Sequence, residues 1–327
     1  VLGVIDHDPS AAISGLRELL QRYAERATSW HIGAVGSDDV SSLRDAPSMI
    51  ARVLEAMGEV APRPVVSVPW RAQGEVRALG SDVASPTVRV DAWASADSVR
   101  ESVEGGRRVG VTPSWVFTPL DEDRFGTEAC VRRLVRLAVS GWEAGVGWSP
   151  DGGGSLVVER PWRRESEGSG GAMPTAWYGA GRTRSEELAG RRPVAELYAG
   201  EGARAIVAVG STEEDGAIIA WNEWGRGGDA ELRARLGFGA GTVRDHNGNE
   251  RTVEAVGGEH VIELTDTPVF ISGIDTRLVR FRAGLQLVPR FMESRAQRHA
   301  MEIESFNPYR ESVQAAVRFA SPEGWDF

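Results

Sequence analysis

The residues able to do chemistry in this 327-residue chain are carboxylates and tryptophans that fall at the ends of short apolar runs. Asp38 and Asp39 follow the run at 29–33, Asp91 lies near the end of 88–93, and Asp121, Glu122 and Asp123 follow Phe117. Asp6 and Asp8 end the first run, and Asp151 follows Trp148. Two carboxyl groups can divide acid and base work across a glycosidic bond, at a separation of about 5 Å for retention and about 6.5 to 9.5 Å for inversion. Trp70, Trp93, Trp115 and Trp148 lie in or at the ends of successive runs. Indole faces suit the apolar C–H faces of sugar rings, and the indole N–H donates to hydroxyls. Each group also has a plain structural reading. Asp121-Glu122-Asp123 and Ser37-Asp38-Asp39 serve equally as caps, and any one tryptophan, Trp115 in particular, equally fills a core.

Composition removes other chemistries. All 37 cationic side chains are arginine, so Schiff-base lysines and the phosphate-loop lysine are excluded. Asp151-Gly152-Gly153-Gly154-Ser155 is glycine-rich but lacks the Lys-Ser/Thr ending of a phosphate loop. The net charge of −10 argues against nucleic acid, which is held by clustered cations. Cys130 is the single cysteine and sits in helical sequence, so it reads as a small core residue, with no intrachain disulfide or cysteine metal site. His7, His31, His246, His260 and His299 are scattered without ligand spacing. No metal and no cofactor is expected. No stretch reaches the roughly 18 apolar residues of a membrane span.

The elements that must position these groups change character along the chain. Up to about residue 148, apolar runs at 1–5, 29–33, 65–69, 88–93, 109–117 and 145–148 alternate with helical patterns, the signature of parallel β/α architecture. Asp8 and Pro9 open one helix, whose stripe is Ile13, Leu16, Leu20 and Tyr23. Pro47 opens the next, with Ile50, Val53, Leu54 and Met57 on one face, and a third carries Val131, Leu134, Val135, Ala138 and Trp142. After a helix near 183–188, closely spaced strands are expected at 204–209, 217–221, 231–236, 242–244, 260–264 and 268–271, with Asn247-Gly248 a hairpin signal. The fold class is therefore α/β followed by all-β: a partial TIM (β/α)8 barrel plus an antiparallel β-sandwich. Residues 1–192 would hold six barrel units, 193–290 the sandwich, and 291–327 the start of a further β-domain. Val1 opens on a strand and Phe327 closes a segment as it begins, so an N-terminally truncated piece is expected.

Trp30-His31-Ile32-Gly33-Ala34-Val35 resembles the Trp-x-Ile-Gly-Asn-Glu strand of (β/α)8-barrel glycoside hydrolases, within a segment, 11–70, that resembles their fourth and fifth units. Residues 217–222, 243–249 and 265–271 look like the accessory β-sandwich that follows such barrels. The resemblance implies a secreted protein, extracellular or periplasmic, that acts on or binds polysaccharide or oligosaccharide. It also implies an acid/base glutamate where Val35 stands, and a nucleophilic glutamate at the tip of the strand ending Trp115-Val116-Phe117-Thr118-Pro119-Leu120, where none occurs. The nearest replacements are Asp38 and Asp39 for the first and Asp121 for the second. A non-catalytic carbohydrate-binding or scaffold protein is the alternative.

Overall fold

The computed structural model describes residues 22–23, 29–33, 45–59, 65–71, 84–108, 113–146, 156–158, 162–164, 172–200, 202–212, 215–223, 230–237, 239–289 and 300–314. The strand expected at 1–5, the Asp8 cap, most of the first helix, Val35, Asp38, Asp39, Trp148 and Asp151 lie outside the described residues.

The first part is a five-stranded parallel sheet in the order of the sequence: β1 (Ser29–His31), β2 (Val65–Arg71), β3 (Ala84–Val90), β4 (Ser114–Phe117) and β5 (Leu156–Val158). Between β1 and β2 runs α1 (Ala46–Gly58), between β3 and β4 runs α2 (Ala96–Arg108), and between β4 and β5 run α3 (Glu122–Phe125) and α4 (Thr127–Glu143). A strand order without reversal differs from a doubly wound sheet, in which the order switches and helices cover both faces. Here Met49, Ile50, Val53 and Met57 of α1, Val99 and Val103 of α2, and Cys130, Leu134 and Leu137 of α4 share one apolar cluster with a single face of the sheet. The sheet is a parallel half-barrel with its described helices on one side.

Several expected boundaries move. β3 begins at Ala84 and ends at Val90, so Trp93 falls in the turn beyond it. Residues 144–146 form the turn that closes α4, with Gly145 at φ 114°, and the strand paired to β4 is β5, later in the chain than 145–148. The glycine at 141 lets α4 approach β4 closely, since a Cβ there would lie 3.3 Å from Cζ of Phe117.

A small hairpin, β6 (Trp162–Arg164) with β7 (Ala172–Pro174), precedes α5 (Ala176–Leu188). The second part is antiparallel. β8 (Arg192–Tyr198), β9 (Ala203–Val209), β10 (Gly216–Asn222), β12 (Gly241–Arg244), β13 (Glu250–Val253) and β15 (Val269–Ser272) form a six-stranded sheet in the order β13-β12-β15-β10-β9-β8. β11 (Ala230–Ala234) and β14 (His260–Leu264) form a two-stranded sheet. Leu232 and Ile262 of that pair share a cluster with Val207, Ile218 and Ile271 on one face of the larger sheet. The sequence reading missed β8 and β13, which pair with strands it recognised. The Asn247-Gly248 hairpin joins β12 to β13, with Gly248 at φ 92°. Beyond α6 (Thr276–Ala283), β16 (Gln286–Val288) pairs with β17 (Glu302–Glu304) across the boundary read at 290. Residues 312–314 are irregular, and 315–327 lie outside the described residues.

The other face of the six-stranded sheet explains α4. Val131, Val135, Val139 and Trp142 pack with Ile206, Ala208, Ile219, Trp221 and Phe270, while the opposite side of the same helix serves the parallel sheet. A helix apolar on two sides must be covered on two sides. The interface is completed by Arg204, whose guanidinium lies 2.6 Å from Glu143 and 5.3 Å from the Trp221 ring, and by Trp142, which donates to the Arg191 carbonyl at 3.0 Å.

Candidate functional site

In a parallel pair, residues in register point to the same side, and side chains alternate along each strand. Val66, Val68 and Trp70 of β2, Val88 and Val90 of β3, and Trp115 and Phe117 of β4 therefore form one face, and all are buried with the helices. Trp70 is 3% exposed and Trp115 0%. The sequence reading offered both tryptophans as sugar contacts, with core packing, for Trp115 in particular, as the equal alternative. The structure encloses them in the helix-facing core, because the strand parity that buries their valine neighbours buries them too.

The opposite face carries a polar row beside Pro69 and Val116. Nδ1 of His31 lies 3.0 Å from Oγ of Ser67 and 3.3 Å from Oγ1 of Thr87, and Arg89 donates to Oγ1 of Thr118 at 2.8 Å. Ser67 and Thr87 are buried. Partial desolvation pushes the His31 imidazole below its ordinary value. This row takes its residues from β1, β2 and β3 and ends at Thr118, just past β4, beside the loops that follow β3 and β4. The alternation Thr87-Val88-Arg89-Val90 was its signal in the sequence.

Those two loops enclose a cleft of about 370 Å³ lined by Asp91, Trp93, Thr118, Asp121, Arg124 and Phe125, among others. Trp93 is 67% exposed, and its ring meets Phe125 edge to face at 5.1 Å and 77°. The Arg124 guanidinium lies 5.1 Å from the centre of the Phe125 ring, so charge and ring hold each other. From beneath, Arg133 of α4 donates to the carbonyls of Ala92 at 3.1 Å and Ala94 at 2.5 Å, bracing the turn on both sides of Trp93. Burial, and then the neighbouring Arg136, hold the Arg133 guanidinium below its ordinary value. Asp121 caps α3 by accepting from the Asp123 N–H at 3.1 Å. Cys130 is buried and its thiol donates to the Leu120 carbonyl at 3.4 Å; burial, then Glu122 and Asp121, push its pKa up. The thiol is thus held protonated, as a core residue.

Of the site residues read from sequence, the structure brings Trp93 and Asp121 into one cleft, with Asp91 beside them. It buries Trp70 and Trp115 elsewhere. Asp38, Asp39 and Trp148 lie outside the described residues. Phe125, Arg124 and Arg133 escaped the sequence reading, since nothing local marks a phenylalanine four residues past Asp121 as the partner of Trp93. Among the described residues no group of three or more His, Cys, Asp or Glu side chains converges as a metal site, and no helix is long and apolar enough to cross a membrane.

No family model matches the sequence, and a search of curated proteins finds no relative. Among solved structures, a family 39 glycoside hydrolase from the gut symbiont Bacteroides cellulosilyticus superposes with a TM-score of 0.58 at 11% identity, covering 81% of this chain and 62% of that one. The chain thus spans under two thirds of that protein and shares a glycoside-hydrolase-like fold with it. Two amylases align at TM-scores too low to bear on the fold. A maltogenic α-amylase from Thermotoga neapolitana gives 0.31 at 8% identity, over 80% of this chain and 94% of that one. An α-amylase from Geobacillus thermoleovorans gives 0.34 at 10%, over 79% and 63%.

Proposed function

We propose that this is a secreted glycoside-hydrolase-like protein that binds polysaccharide or oligosaccharide at the loops of a (β/α)8-type barrel, with an antiparallel β-sandwich as accessory domain. The observation that carries this reading is the Trp93 cleft. It lies past the C-terminal ends of parallel strands, where barrel sites are built, and it sets a solvent-facing indole among two carboxylates, an arginine and a hydroxyl. That combination meets both faces of a sugar: the indole covers apolar C–H groups, and the polar groups exchange hydrogen bonds with hydroxyls. The family 39 fold supports the same substrate class. Trp148 belongs to this proposal as a further contact.

Titrating the protein with a panel of oligosaccharides tests it. Trp93→Ala is expected to weaken binding by about 1 to 3 kcal/mol, whereas Trp221→Ala, whose indole lies in the interface with α4, should lower thermal stability and leave affinity intact. Equal affinity in wild type and Trp93→Ala, or no binding to any glycan, rejects the proposal.

Hydrolysis is the second reading. It assigns proton donation to Asp39, with Asp38 beside it, and the opposing carboxylate to Asp121. Two observations favour binding without hydrolysis: Asp121 is committed as a helix cap, and Thr118, a neutral hydroxyl engaged by Arg89, stands at the strand tip where the resemblance expects a nucleophile. If hydrolysis occurs on any glycan of the panel, Asp39→Asn should slow turnover by about 100-fold or more. Unchanged turnover in both the Asp38 and Asp39 variants removes these residues from the chemistry.

A further inference from the structure

We propose that His31 is a ligand-contacting residue whose Nε2 meets a hydroxyl of a neutral oligosaccharide running from the Trp93 cleft along the polar row; this rests on the carbohydrate reading above, in which His31 has no part. His31 ends β1, and the cleft lies past the corresponding ends of β3 and β4, so both stand at the same end of the parallel sheet. Ser67 and Thr87, which hold the ring from β2 and β3, are buried, whereas His31 is exposed.

The imidazole is held by one edge only. Nδ1 lies 3.0 Å from Oγ of Ser67 and 3.3 Å from Oγ1 of Thr87, and Nε2 has no hydrogen-bond partner among the described residues. His260 shows how a core histidine differs: it is 1% exposed, and its Nε2 donates to the Gly239 carbonyl at 2.8 Å. Desolvation disfavours the charged ring, so His31 is neutral at neutral pH. A neutral imidazole has one N–H, and a hydroxyl can either donate to Nδ1 or accept from it. Nε2 is therefore an acceptor in one tautomer and a donor in the other. A sugar hydroxyl suits both, whereas a carboxylate or phosphate suits only the donor and finds no charge on the ring. Reach agrees with this. The ring extends from β1 to Thr87, which lies two residues, or about 7 Å, before Arg89 on β3. Arg89 in turn donates to Thr118 of the cleft lining, so the contact points follow one another without a gap. Two fixed hydroxyls also order the ring in advance, which lowers the cost of binding.

The test is calorimetric titration of the full chain with cellotetraose, xylotetraose, mannotetraose and tetragalacturonate, for wild type, Trp93→Ala, His31→Asn and His31→Gln. An asparagine amide reaches the place of Nδ1 but not that of Nε2, whereas a glutamine amide reaches the second. At least one neutral tetrasaccharide should bind wild type, lose at least about tenfold in Trp93→Ala and in His31→Asn, and recover part of the loss in His31→Gln. In wild type made with isotope-labelled histidine, the same sugar should shift the NMR signal of the His31 Nε2, identified by its absence from His31→Asn. Thermal unfolding confirms that the variants are folded. Equal affinity in wild type and His31→Asn, or an Nε2 signal that the sugar leaves unmoved, overturns the proposal. If Trp93→Ala still weakens binding in that case, the cleft stands and only the His31 contact is removed. Binding that needs His31 but not Trp93 overturns the shared ligand and the cleft reading together. Tetragalacturonate bound through His31 in preference to the neutral sugars overturns the ligand class, and binding of none of the four overturns the proposal outright.

Discussion

Arg133 offers a way to disturb the cleft without replacing any residue that lines it. Its guanidinium makes two charge-assisted hydrogen bonds, to the carbonyls of Ala92 and Ala94, on either side of Trp93. Bonds of this kind contribute about 1.5 to 3 kcal/mol each when both partners stay dry. The turn is open to water, with Asp91 and Trp93 exposed, so in Arg133→Met the freed carbonyls regain part of that energy from solvent. A net loss of roughly 2 kcal/mol in the stability of the turn follows. If the turn must be ordered for binding, affinity falls by the fraction of molecules left ordered, up to about 30-fold for 2 kcal/mol. Hydrogen exchange should report faster exchange at the amides of residues 91–95, while the apolar packing of α4 keeps global unfolding less affected. Arg133→Lys keeps the charge but not the planar fork, and should fall between wild type and the methionine variant. Unchanged exchange and unchanged glycan affinity in Arg133→Met, in a protein where Trp93→Ala does weaken binding, would refute the brace and leave the Trp93–Phe125 contact as sufficient.

Two further outcomes concern the packing. Trp115→Ala should destabilise the protein by about 3 to 5 kcal/mol in denaturant titration, because a fully buried indole leaves a cavity between sheet and helices; a loss of glycan affinity at unchanged stability would contradict its core placement. Arg204→Met strands Glu143, whose pKa is raised by burial although Arg204 and Arg100 oppose that shift. The cost should be roughly 3 kcal/mol at neutral pH, since both side chains are mostly buried. Without Arg204, whose charge lowers it, the Glu143 pKa rises further, so the defect should be full above the variant's value and shrink as pH falls through it towards the wild-type value. A pH-independent difference between the two unfolding curves would show that Glu143 is not the source.

Local sequence was sufficient for much of this architecture. The stripe Ile50, Val53 and Met57 and the run from Val131 to Trp142 specified α1 and α4, because a 3.6-residue period is written in neighbouring residues. Asn247-Gly248 specified its hairpin, since glycine supplies the positive φ of the turn. The order of long β/α units before short antiparallel strands was equally plain. Strand alternation also showed which residues share a face: Trp115 goes with Phe117, and Thr87 with Arg89. It could not show which face the helices cover, because period two is symmetric until a crossover lays a helix on one side. That long-range choice enclosed Trp70 and Trp115 with the helices, left the Ser67, Thr87 and Arg89 row on the face away from them, and gave α4 a second sheet to cover. Trp93 reached the cleft because pairing stops at Val90, and Phe125 met it because α3 folds back over the β3 loop. Residues distant in sequence become a site only when packing brings their loops together, and there the tertiary structure alone decides.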